Sequence, residues 1–150
     1  MSKKQYSRRR NSLVRIEIDK ILYATSESVA SQILSAAIPA NGNKGSIEMW
    51  ELENRLTPIF NSTINRIREV NTNVGEVLSF ELKRRSGTLM DDLISLLLES
   101  LRDAFRSGLD VDYPTPRTIH LTFEKNVENT AFIRKEYAMK VYDVLRHLVG

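Results

Sequence analysis

The chain has 150 residues, 41% of them hydrophobic, enough to bury one core and too many for global disorder. It holds no cysteine, which removes a disulfide scaffold, a zinc ribbon, an iron–sulfur site and a thiol nucleophile together, and its two histidines, His120 and His147, are isolated in sequence. The net charge of +3 is unevenly divided: residues 1–46 hold eight Lys or Arg against three acids, whereas residues 47–150 hold fourteen against sixteen.

The opening stretch, MSKKQYSRRRNS, carries Lys3, Lys4, Arg8, Arg9 and Arg10 and no acid. Such a run suits a polyanion, because each cation that neutralises a phosphate releases condensed counterions; it equally suits a solvated tail. From Ser12 to Ile38 the positions Val14, Ile18, Ile21, Thr25, Val29, Ile33 and Ala36 step by three or four, which predicts one long helix. Its composition is unusual. Nine of the sixteen residues from Tyr23 to Ile38 are Ala, Ser or Thr, where an ordinary core helix would carry Leu and Ile. The side holding Arg15, Asp19, Ser26 and Ala30 is polar or small, so it is expected to face a ligand or a partner backbone while the other side packs. By that reasoning leucine at Ala30 would disturb binding more than folding.

Pro39 and the PANGNKGS stretch end this helix. Residues 47–56 predict a helix with Trp50 in the core, and Thr57-Pro58 reads as a cap followed by proline at a first helical position, opening a second helix to about Val70. A weaker helix covers Val74 to Lys83. The clearest helix runs between Thr88, a plausible cap with Asp91 behind it, and Gly108, with the stripe Leu93, Leu97, Leu101, Phe105. After DVDYPTP, a turn, RTIHLTF alternates Ile119, Leu121, Phe123 against Thr118, His120, Thr122 and is either a short strand or an extended arm. A last helix, 130–148, carries Ile133, Tyr137, Val141, Val144 and Leu148. The expected fold is all-α: an N-terminal arm and long helix in 1–46, then a helix-bundle body in 47–150, with at most one short strand near 117–123.

Catalytic patterns are thin. The glycines are scattered and form no phosphate loop. Asp91, Asp92, Glu99 and Asp103 share a helix and could suggest a metal-dependent nuclease, but a leucine-rich amphipathic helix ordinarily exposes acids on its outer face. His120 reads as a surface residue, and Tyr137 and Tyr142 as packing residues. The expectation is a non-enzyme without cofactor or metal. The longest apolar run, Leu93 to Leu98, is far short of the ~18 residues a spanning helix needs, and the N-terminus has no secretory signal pattern.

The segment Val29-Ala30-Ser31-Gln32-Ile33-Leu34-Ser35-Ala36-Ala37-Ile38-Pro39, with the basic arm before it, resembles the major capsid proteins of filamentous archaeal viruses, the rudivirus and lipothrixvirus group. A looser similarity covers Arg85 to Gly108, in Gly87, Leu89, Ile94, Leu97 or Leu98, Ala104 and Gly108. The loop after Pro39 departs from that family, and nothing after about Asp110 matches it. The resemblance implies a virion protein, assembled in the host cytoplasm, that dimerises with itself or with a paralogous capsid protein inside a helical filament. It implies an N-terminal arm wrapped around linear double-stranded DNA held in A-form, and it leaves a lipid envelope open. Carried onto this chain, the DNA-binding residues are Lys3, Lys4, Arg8, Arg9, Arg10, Arg15, Lys20, Ser26, Ser31 and Lys44, contacting the backbone without sequence readout. The competing function is a helical nucleic-acid-binding regulator or a small subunit of a CRISPR ribonucleoprotein complex.

Overall fold

The computed structural model describes residues 3–84, 88–106 and 108–150, with side chains described for 12–81, 92–106 and 108–150. Along the chain come α1 (Lys3–Ala37), β1 (Lys44–Glu48), α2 (Met49–Val70), α3 (Thr72–Arg84), α4 (Thr88–Ala104), β2 (Leu109–Thr115), β3 (Thr118–Phe123) and α5 (Ala131–Val149). The all-α expectation is therefore wrong: the three strands form one antiparallel sheet in the order β1-β3-β2.

The segment with clean alternation is the central strand, β3, and the reason lies in burial. Ile119, Leu121 and Phe123 are fully buried, and Ile47 and Leu109 on the flanking strands sit opposite Ile119 and Phe123. β1 (KGSIE) contains a single large apolar residue, and β2 (LDVDYPT) is dominated by turn formers. Both are edge strands, half open to solvent, where a proline such as Pro114 is tolerated and little hydrophobic pattern is required.

α1 is one unbroken helix of 35 residues, about 50 Å long. It lies between α5 and α2. Along α5 it runs antiparallel, since Asp19 meets Tyr142 and Arg146 near the end of α5, while Ser31 shares a groove with Ala131 at its beginning. Toward α2, the buried hydroxyls of Thr25 and Thr63 are 2.6 Å apart, each also within bonding distance of a carbonyl one turn back. Ile18 to Ala37 join the same core as Leu52, Leu97, Leu121 and Val141, so the packing draws no line at residue 46.

The two helices expected on either side of Thr57-Pro58 are one helix, α2, with Pro58 inside it. The Thr57 hydroxyl donates to the Glu53 carbonyl at 2.7 Å and caps nothing. An interior proline costs about 3 kcal/mol, but Met49, Leu52, Leu56, Phe60, Thr63, Ile64 and Ile67 form one buried stripe across it. Each large apolar side chain on that stripe contributes about 1.5–3 kcal/mol, so continuity wins. α2 stops at Asn71, whose Oδ1 accepts from the Val74 backbone N–H at 3.2 Å and starts the next turn of chain. Gly75 then allows α3 to approach: a Cβ there would lie 3.0 Å from the Arg68 backbone nitrogen and Cα and would run into the Arg68 side chain.

α4 ends at Ala104, and the left-handed turn falls on Arg106 (φ 51°) rather than on Gly108, whose N–H donates to the Phe105 carbonyl at 2.9 Å. Phe105 meets Phe123 edge-on with ring centres 5.2 Å apart, tying this turn to the sheet. α5 is capped by Thr130, which accepts from the Ile133 N–H at 3.2 Å. Tyr137 is fully buried, and its hydroxyl donates to the Leu97 carbonyl at 2.6 Å. Trp50, expected in the core, is instead 54% exposed on the first turn of α2.

Candidate nucleic-acid interface

α1 positions the basic run. Its helical backbone begins at Lys3, and among the described side chains, which start at residue 12, the first packed against the core is Val14 and the first buried one is Ile18. The arm is therefore the backbone continuation of a helix whose later half is fixed between α2 and α5. Lys3, Lys4, Arg8, Arg9 and Arg10 have side chains that lie outside the described residues. Arg15 is exposed. Lys20 is exposed too, with Nζ 3.4 Å from Glu17 Oε1 in a pair open to water that adds little stability.

The remaining predicted residues separate from this group. Ser26 is 1% exposed, and its hydroxyl donates to the Leu22 carbonyl at 2.7 Å, so it presents nothing to a phosphate. Ala30 is 0% exposed. The expectation that this side of α1 faces a ligand is thus corrected: by helical register Ser26 and Ala30 fall on the side that bears Asp19 and Tyr23, the side covered by α5. The small side chains admit α5 of the same chain. Ser31 is half-buried, and Lys44 is exposed on an edge strand beyond the far end of α1, about 40 Å along the helix from Arg10.

Where α1 and α5 diverge they leave a groove of about 620 Å³ lined by Tyr23, Ser31, Arg134, Lys135, Ala138 and Met139, among others. Arg134 and Lys135 lie on the first turns of α5, opposite Ser31, and sequence reasoning missed them. The helix was expected over 130–148, but nothing in sequence paired its start with residue 31. Tyr23 stacks on Tyr142 with ring centres 4.1 Å apart and planes 4° from parallel. The Tyr142 hydroxyl donates to Asp19 Oδ1 at 3.1 Å; partial desolvation and this carboxylate raise its pKa. Arg146 stands 3.8 Å from the same oxygen.

The acids of α4 do not converge. The Asp91 side chain lies outside the described residues, Asp92, Glu99 and Asp103 are exposed, and Glu99 pairs with Arg102 at 3.2 Å. Among the described residues no group of three or more His, Asp or Glu is placed to hold a metal ion, and no helix is long and apolar enough to cross a membrane. His120 is exposed on the face of β3 turned away from the core. No family model, no curated protein and no solved structure matches the chain.

Proposed function

We propose that the chain is a structural coat protein of a filamentous virus, binding linear double-stranded DNA irrespective of sequence and lying along it in many copies. The observation that carries this is the continuity of α1: five cations without an acid occupy the first turns of a helix whose direction is set by the core from Val14 onward. A helix held at one end and cationic at the other follows a phosphate backbone at low entropic cost. Arg15 and Lys20 continue the charge toward the body; Ser26 takes no part, and the small-residue stretch serves the fold. The family resemblance adds the expectation of A-form duplex and of a virion location.

A titration of a long linear duplex at low salt, followed by circular dichroism in the nucleic-acid band and by electron microscopy, tests this. Expected are uniform filaments, a shift to the A-form spectrum, and equal affinity across sequences. With five arm cations engaged, log K falls with log salt by about 4 to 5 per protein, at ~0.9 per phosphate neutralised. Arg8, Arg9 and Arg10 all replaced by alanine lower that slope by about 3. Sequence-dependent binding by discrete particles would instead assign the chain to the regulators.

A further inference from the structure

The groove between α1 and α5 gathers unpaired charge and open apolar surface. Arg134 gives one guanidinium N–H to the Asn129 carbonyl at 3.4 Å, and Lys135 has no bonding partner among the described residues. Glu27, on the α1 wall, has none among them either. Two large apolar side chains share the cavity: Met139 is 57% exposed and Tyr23 51%, the tyrosine ring being held in place by its stack on Tyr142. Single exposed apolar residues are ordinary on a protein surface; a pair lining one cavity beside uncompensated cations is the composition of a ligand site.

These groups are ordered along the groove. Because α1 and α5 run antiparallel, Ser31, Arg134 and Lys135 lie at one end and Tyr23, Ala138 and Met139 toward the other, a span of about 12 Å from Tyr23 to Ser31 on α1. The floor between is apolar, since the Ser26 hydroxyl is bonded to the Leu22 carbonyl of its own helix and Ala138 adds only a methyl group. We propose that the groove binds a small organic monoanion, with a carboxylate or sulfate head at the α5 end and an apolar body lying against Met139 and Tyr23. Arg134 offers the head a planar fork of N–H donors, Lys135 a point charge and Ser31 a hydroxyl. The cavity, about 620 Å³, lies within the range of roughly 300–1,000 Å³ typical of small-molecule sites.

Glu27 decides between a single charge and a polyanion. It stands midway between Tyr23 and Ser31, about 6 Å along α1 from each. One strand of a duplex carries a charge every ~3.4 Å of helix axis, so a strand laid along the groove would set phosphates against this carboxylate. A monoanion seated at the α5 end passes Glu27 with a neutral stem. The opposite end is closed to a second anion by Asp19, which Tyr142 and Arg146 already engage. The ligand's direction is fixed by these charges, and the site is separate from the basic arm, so the inference holds whether or not the arm binds DNA.

Decanoate below its micellar concentration is the probe. Calorimetry on the full chain is expected to show saturable one-to-one binding, weakened at least about tenfold when decanol or decyltrimethylammonium replaces the acid, and absent with acetate. Arg134→Gln with Lys135→Gln should weaken it by the same factor without moving the thermal transition, because both side chains are exposed. The methyl resonance of Met139 should shift with decanoate and not with acetate, which locates the apolar body. Equal affinity for decanol, binding untouched by the glutamine pair, a Met139 resonance that stays in place, or no saturable binding at millimolar decanoate would each overturn the proposal. Stoichiometric displacement of decanoate by a duplex would overturn it in favour of nucleic acid, and binding to phosphatidylglycerol vesicles in place of the monomeric acid in favour of a bilayer surface.

Discussion

Replacing Ala30 with leucine asks directly why α1 is built from small side chains. Ala30 is 0% exposed and lies on the α5 side of α1, beside Ser26, which is itself buried. Leucine adds three heavy atoms to a site that has no solvent face. Overpacking of this kind costs about 1–3 kcal/mol, because α5 must move or the side chain must leave its preferred rotamer. For a chain of this size each kcal/mol shifts the midpoint by about 2–4 °C, so a drop of roughly 2 to 12 °C is expected. Ala24 supplies the control, being the same residue type on the same helix but exposed; leucine there should stay within about 0.5 kcal/mol of the native chain. Thermal unfolding followed by far-ultraviolet circular dichroism, with DNA affinity measured well below both midpoints, reads both effects. An unchanged midpoint in Ala30→Leu with weakened DNA binding would refute the packing account and return this face of α1 to the ligand.

Tyr137→Phe removes the bond to the Leu97 carbonyl and should cost about 0.5–1.5 kcal/mol at neutral pH. Burial holds the native phenol well above its ordinary value of about 10, so its contribution is fully present below pH ~10 and is lost as the pH rises beyond it. Urea titrations at pH 8 and pH 11 should therefore show a steeper alkaline loss in the native chain than in the phenylalanine variant, and equal losses would count against a buried phenol. Gly75→Ala should destabilise by about 1–3 kcal/mol although alanine favours helix by about 1 kcal/mol, because the new Cβ meets the Arg68 backbone at 3.0 Å. A rise in the urea midpoint would mean that α2 and α3 separate freely.

Elements with a buried face on both sides of their midpoint were legible in the sequence, and elements defined by their neighbours were not. α4 and α5 carry unbroken apolar stripes, and β3 alternates because both of its flanks are occupied and one face is core. β1 and β2 carry no such record, since an edge strand is held by backbone hydrogen bonds that leave no trace in side-chain pattern. Thr57-Pro58 misled for a related reason. Local chemistry at that pair favours a new helix start, while the stripe from Met49 to Ile67 favours continuity, and the tertiary term is the larger. Trp50 shows the same limit on one residue: helical spacing placed it among apolar positions, and only the direction of the first turn of α2 decides that it faces water.

The interface divides along the same physical line. The charge of the basic arm can be read without knowing the fold, because five cations without an acid are a property of composition; what they bind belongs to the proposal. The small-residue stretch could not be read so, because a small side chain records only that something comes near, and the chain itself supplied that neighbour in α5. Arg134 and Lys135 reach the α1 groove through a contact that spans about a hundred residues of sequence, and no periodicity reports it.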